Sequence, residues 1–469
     1  MAFAEFLAIA VLVSLFVTYL IKRFTHHQTF FVISVIKTER FNPVFDRLRK
    51  SRLIEHLAVA GSILGFGAFG FDFFIGRKFQ SRLVRILSFL IVTLLLGGAF
   101  GVLFGGFLEN NALLENQSAL PYQAAFGLGG FSFGMLYALF AQALQIGGKL
   151  LLGEKTCPGV APVIPGVEIP NVPIFIPVEA WISLLVILVI HESSHGFLAR
   201  RHHIPVKSSG VLLFGPAPIG AFVEPDEEKI KTMDDEQAVQ IFAAGPTSNI
   251  VSMLVVLVLS LGVVGLVLTP LLSPMMEEIA VNQFTGVRIV QIDQNFTFCQ
   301  TVYPSPAFEA GIPPGSLLLS INGTDVKSPA EAQMALAQNR GEPKTFGLEF
   351  EGSRLEKNLS PNELGRFGIR LEGIQNPDYE VPSEFLFWQS IISPVASVVF
   401  WFIVLSVLVA ASNFLPLVPF DGGRMAELIF APYLTGLQMS TEDTRRLVKR
   451  IFMWVLWPII FVNALPLIL

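Results

Sequence analysis

The chain has 469 residues, of which 52% are hydrophobic and 15% charged, against about 25% charged in an average globular domain. Its mean hydropathy is +0.61, and several apolar runs reach the ~20 residues a helix needs to cross a ~30 Å hydrocarbon core. This composition excludes a disordered chain, a disulfide-rich secreted scaffold and a cytosolic enzyme. It defines a polytopic membrane protein. The net charge is −5 with no basic stripe, which excludes a nucleic-acid partner.

The first apolar run is 3–21, and Lys22 and Arg23 follow it rather than precede it. That order fits a retained span with its N-terminus outside, not a cleaved signal peptide. The basic stretch 22–52 marks the cytoplasmic side. Residues 53–76 are apolar and glycine-rich, yet carry Glu55, His56 and Asp72. Residues 83–107 form a clear span, the acidic loop 108–125 lies outside, and 127–152 is apolar again. If all three apolar stretches cross, Arg77, Lys78, Arg82 and Arg85 fall outside, against the positive-inside rule. A re-entrant or in-plane 53–76 and an imperfect span at 127–152 are therefore expected.

The segment 157–177 is dense in Pro and Gly and cannot be helical. A span at 178–200 ends in Arg200 and Arg201. Residues 206–224 alternate strand-like stretches with Gly and Pro and read as a hairpin or sheet at membrane depth. A span follows at 238–268. Between 281 and 375 the charge rises, the periodicity falls to two, and turns such as Asn322-Gly323 occur, so a small soluble domain is inserted between spans. Spans at 386–415 and 451–469 flank a basic, cytoplasmic segment at 420–450. Cys157 and Cys299 both fall outside. They read as two separate thiols, although a disulfide between them stays open.

The chemistry sits at 191–195, His-Glu-Ser-Ser-His. Residues four apart share one face of a helix, so His191 and His195 can reach one tetrahedral zinc. Glu192, off the ligand pair, is placed to take a proton from water at the metal. Ionisable groups among membrane apolar residues are costly and usually functional. Zinc held by two histidines needs a third protein ligand. Asp421, after a long apolar span in Pro-Phe-Asp-Gly-Gly, lies at matching depth, although it also suits a helix cap. His26-His27 and His202-His203 stand at basic membrane ends and read as interfacial charge rather than ligands. The Gly-Phe-Gly-Ala-Phe-Gly stretch at 65–70 reads as close helix packing.

His-Glu-Ser-Ser-His-Gly, together with Asn-Phe-Leu-Pro-Leu-Val-Pro-Phe-Asp-Gly-Gly at 413–423, resembles the site-2 protease family of intramembrane zinc metalloproteases. Ala-Ala-Gly-Pro-Thr-Ser-Asn at 243–249 resembles that family's Gly-Pro-Asn segment, and Gly-Ala-Phe-Val-Glu-Pro-Asp-Glu-Glu at 220–228 its archaeal branch. The resemblance covers about 160–469. It implies one zinc per chain on His191, His195 and Asp421, acid–base catalysis by Glu192, and Asn413 holding the substrate backbone or the oxyanion. It implies transmembrane protein substrates, trimmed beforehand by another protease, in a lipid bilayer that is the plasma membrane. The site would face the cytoplasm. The inserted segment 305–326 resembles the core of a PDZ domain, a filter on substrate ectodomains in this family.

The expected fold is a mainly α, polytopic transmembrane helical bundle with a membrane-associated β-hairpin or sheet and an inserted α+β PDZ-like domain. The expected domains are an N-terminal transmembrane region (1–155), a first catalytic membrane core (156–280), the PDZ-like domain (281–375) and a second catalytic core (376–469). Two other functions fit less well. A membrane zincin acting on non-transmembrane peptides does not account for the Asp-Gly-Gly motif. A catalytically inactive PDZ-bearing scaffold has no reason to keep Glu192.

Overall fold

A computed structural model of the chain describes residues 3–24, 28–38, 42–48, 51–109, 118–215, 217–299, 301–339, 341–434 and 439–469. The chain forms two compact units. One comprises Met1–Gly148, Pro158–Val258 and Ala396–Leu469; the other comprises Lys149–Cys157 and Leu259–Val395. The protein is mainly helical. Among the described residues, seven helical stretches are long and apolar enough to cross a membrane: Leu53–Lys78, Arg82–Gly106, Ala119–Leu151, Ala180–Arg201, Asp235–Asn282, Ser383–Asn413 and Thr441–Leu467.

The first unit opens with helix α1 (Phe3–Phe24), strands β1 (Gln28–Phe30) and β2 (Ile33–Thr38), and the short α2 (Asn42–Leu48). Next come the long helices α3 (Leu53–Phe74), α4 (Arg82–Glu109), α5 (Ala119–Leu151) and α6 (Ala180–Arg201). Strands β3 (Val206–Phe214) and β4 (Ala217–Pro225) form the expected hairpin, followed by α7 (Glu227–Thr232) and α8 (Asp235–Val263). The hairpin is part of a larger antiparallel sheet in the order β1-β2-β3-β4. Register runs from Ile33 opposite Phe214 to Thr38 opposite Ser209, and Ser209 stands opposite Val223. Strand β4 is an edge of this sheet, and α6 packs against it. At the β3–β4 turn the buried Ser14 hydroxyl of α1 accepts the Gly215 N–H at 2.7 Å and donates to the Val32 carbonyl. Backbone polar groups at a buried strand end need a partner, and α1 supplies it.

Residues 53–76, expected to re-enter or lie in plane, form a helix long enough to cross, and its middle is buried. It is broken at Gly67 (φ 56°), and α5 is broken at Gly129 and Gly130 (φ 56°). The two breaks meet. A Cβ on Gly130 would fall 2.1 Å from the Leu64 carbonyl oxygen, and one on Gly67 2.6 Å from the Gly130 nitrogen. Only glycine permits such backbone contact at positive φ. The core around this crossing contains Phe66, Leu198, Ile241, Phe414 and Met425.

In the second unit a π-helical turn at 264–268 leads into α9 (Thr269–Asn282), which carries helix beyond the expected end at 268. Then come β5 (Phe284–Ile292), β6 (Asn295–Phe298), β7 (Thr301–Pro304), α10 (Pro306–Glu309), β8 (Leu317–Ile321) and β9 (Thr324–Asp325). They are followed by α11 (Pro329–Ala337), β10 (Lys344–Phe350), β11 (Ser353–Leu359) and β12 (Ile369–Gln375). The main sheet is antiparallel in the order β11-β10-β8-β5-β12, with β9 beside β8, and β6–β7 is a separate hairpin. Ile289, Leu318, Ile321, Phe346 and Leu348 fill its core. Ser328 caps α11 by accepting the Glu331 N–H at 3.2 Å. Cys157 and Cys299 are joined in a disulfide, which corrects the reading as separate thiols. A separation of 142 residues carries no pairing signal of its own. Helices α12 (Ser383–Asn413), α13 (Asp421–Phe430) and α14 (Thr441–Ala464) complete the chain.

Candidate metal centre

The α6 turn brings His191 and His195 onto one face, with ring centroids 4.9 Å apart and both side chains buried. Asp421 is the first residue of α13. Its Oδ2 lies 3.1 Å from His191 Nε2 and 3.3 Å from His195 Nε2. Sequence positions 230 apart thus converge on one point.

Helix α8 closes the third side. Gly245 lies so near that a Cβ there would sit 2.4 Å from His195 Nε2 and 2.5 Å from His191 Nε2. One turn earlier, the Ile241 carbonyl accepts from His195 Nδ1 at 2.8 Å. One turn later, the Asn249 carboxamide meets His191 Nδ1 at 3.0 Å. Pro246, inside the helix, has no N–H to return to the carbonyl four residues back, which loosens α8 at this level.

These residues fit zinc. Two imidazole nitrogens and a carboxylate oxygen are its usual donor set in a hydrolytic site. Donors about 2.0–2.1 Å from a tetrahedral ion stand about 3.3 Å apart. The Nε2-to-Oδ2 separations of 3.1 and 3.3 Å match that edge. Both Nδ1 atoms are engaged elsewhere, so both Nε2 atoms point at the shared space. The void that a Cβ of Gly245 would fill is that space.

Glu192 stands beside the ligands. Its Oε2 accepts the Val223 N–H of edge strand β4 at 3.1 Å. A cavity of about 590 Å³ joins Glu192, His195 and Asp421 to Phe222, Phe242 and Arg424. Arg424 pairs with Glu227 at 3.1 Å and lies over the Phe242 ring at 5.3 Å.

Asn413 ends α12, and its carboxamide is turned back to donate to the Val409 carbonyl at 2.9 Å. His202 bonds the Gln240 carboxamide oxygen at 2.8 Å. Burial pushes its imidazole below the ordinary histidine value, with the Gln240 bond opposing. His26 and His27 lie outside the described residues. Sequence reasoning singled out 243–249 by resemblance without placing Gly245 and Asn249 beside the histidines, and it missed Ile241. Their spacing at i, i+4 and i+8 on α8 was the available signal.

The pattern of Peptidase family M50 matches residues 179–458, more than half of the chain, and the match spans His191, Glu192, His195 and Asp421. The chain belongs to this family of membrane metallopeptidases, and it is a multi-pass membrane protein. An uncharacterised protein of Methanocaldococcus jannaschii, MJ0971, is 30% identical over 259 residues, which cover 54% of this chain and 58% of that relative.

Proposed function

We propose that this protein is a zinc-dependent intramembrane endopeptidase that cleaves transmembrane segments of membrane proteins. The observation that carries the reading is the convergence of His191, His195 and Asp421 beside Glu192 on a helix able to span a membrane. His191, His195 and Asp421 hold one zinc per chain. When bound, zinc supplies a Lewis acid that polarises the scissile carbonyl and makes water acidic enough to deprotonate near neutral pH. Glu192 takes the proton of the attacking water and returns it to the leaving amine. The Val223 N–H holds the Glu192 carboxylate toward the cavity meanwhile.

A substrate helix has its carbonyls locked in hydrogen bonds and must unwind before it is cut. Among the described residues strand β4 pairs with a strand on one side only, and an unwound segment can add along its other edge. That pairing keeps the segment's backbone satisfied at membrane depth. Asn413, released from Val409, binds the substrate backbone or the developing oxyanion.

Arg200, Arg201, Arg424, Arg445, Arg446 and Lys449 support a site that faces the cytoplasm. The Cys157–Cys299 disulfide supports an extracytoplasmic inserted domain, since disulfides persist in oxidising compartments. The antiparallel sheet and capped α11 support a PDZ-like assignment for 281–375. That domain admits substrates already trimmed by another protease.

The test is zinc content and cleavage of a transmembrane substrate by the full chain in lipid. Wild type should hold one zinc, and Asp421→Ala should hold almost none. Glu192→Gln should keep zinc and lose cleavage by at least 10²-fold. Full zinc in Asp421→Ala removes Asp421 from the site, and cleavage by Glu192→Gln near the wild-type rate removes the base.

A further inference from the structure

Each ligand histidine has a second nitrogen, and α8 meets both. His195 Nδ1 donates to the Ile241 carbonyl at 2.8 Å. That acceptor is fixed backbone and can only receive a proton. It commits His195 to the tautomer that leaves Nε2 free. His191 Nδ1 meets a side chain instead, the carboxamide of Asn249 at 3.0 Å. Asn249 is fully buried, and its Oδ1 has no hydrogen-bond partner among the described residues while Nδ2 faces the imidazole.

A neutral imidazole carries one proton. If Nε2 offers its lone pair to a metal, the proton sits on Nδ1 and needs an acceptor. A carboxamide has the same shape whichever end it presents, so Asn249 can offer oxygen to His191 Nδ1 by turning about its own axis. The orphaned Oδ1 then gains the partner it lacks. An amide nitrogen facing Nδ1 would hold the proton on Nε2 and block the metal.

We infer that Asn249 is a positioning residue for His191: its carboxamide oxygen accepts the Nδ1–H and fixes the tautomer and ring plane that present Nε2 to the metal. The inference rests on the zinc reading proposed above. Residues 241, 245 and 249 then act together along one face of α8. The outer two orient the two imidazoles, and the glycine between them leaves room for the ion. Supports of this kind typically contribute 10- to 100-fold in metal affinity.

The experiment measures zinc affinity of the detergent-purified full chain by chelator competition, with thermal melting of the same samples. Asn249→Asp keeps an acceptor and removes the donor, whereas Asn249→Leu removes both. Asn249→Asp should bind zinc within a few-fold of wild type, and Asn249→Leu should bind 10- to 100-fold more weakly. Zinc affinity in Asn249→Leu equal to wild type overturns the inference. So does a tenfold or greater loss in Asn249→Asp with melting unchanged, because the donor would then be the needed group. If Asn249→Leu does not fold, Asn249→Asp decides alone by the same criterion. A wild-type chain that binds no zinc overturns the metal reading itself, while wild-type binding with insensitive variants overturns only the role of Asn249.

Discussion

At Gly245 a single methyl group would lie within 2.5 Å of both ligand nitrogens. Alanine has no rotamer with which to avoid it, so both imidazoles would have to turn away from the shared point. Gly245→Ala should therefore lower zinc content from one per chain to near zero, read by elemental analysis of purified protein. Full occupancy in that variant would place the ion elsewhere. His202 makes a second residue-scale prediction. Its imidazole is pushed below the ordinary ~6.5 by burial, so the unfolded chain binds the proton more readily than the folded one. Stability from this group is complete above ~6.5 and falls as pH drops through the depressed folded value. Melting temperature between pH 7.5 and 5 should decline, and His202→Gln should flatten the decline. An unchanged slope in His202→Gln assigns the acid sensitivity to other groups.

Elements were legible in the sequence where their signal was local. The α6 span, the β3–β4 hairpin and the strands of the second unit follow from hydrophobic period and turn residues alone. Strands β1 and β2 were missed, although Val32, Ile33, Val35 and Ile36 carry β-branched residues. They sit in a basic stretch, and the strand that pairs with β2 on its other side, β3, lies far along the chain. The character of α3 was obscure for a related reason. Whether a glycine-rich apolar stretch makes a crossing helix depends on the surface it meets, here the break in α5. Gly130→Ala would combine a backbone conformation almost confined to glycine with a 2.1 Å overlap on the Leu64 carbonyl. The expected cost is about 2–5 kcal/mol, seen as a lowered melting temperature or lost expression. Gly98→Ala and Gly106→Ala on α4, where a Cβ meets nothing within 4 Å among the described residues, should be neutral by the same measure. Equal loss in all three would make the cost a general one of membrane glycines rather than of the crossing.

At the scale of the molecule, His191, Glu192, His195, Asp421 and the α8 residues beside them belong to the first unit, whereas residues 281–375 belong to the second. Replacing 281–375 by a flexible linker should leave zinc bound. If the inserted domain filters substrates, the variant cuts a trimmed substrate as before and now also cuts one with its full ectodomain. Loss of cleavage of both, with zinc retained, would make the domain a recruiter instead. The disulfide has a bearing on how that replacement is made. Removing Cys299 leaves Cys157 unpaired, so the replacement should carry Cys157→Ser as well.

The 230 residues between His191 and Asp421 also set a clock. Chains grow at about 5–20 residues per second, so Asp421 is made roughly 10–50 s after His191. Through that interval the nascent protein carries two histidines and a glutamate but lacks the carboxylate that completes the donor set. A hydrolytic centre cannot form while the helices around it are still being inserted. Under the proposed zinc reading, the order of these residues along the chain would keep the protein inert among the other nascent membrane proteins at its site of synthesis, and a chain truncated before residue 421 should hold no zinc.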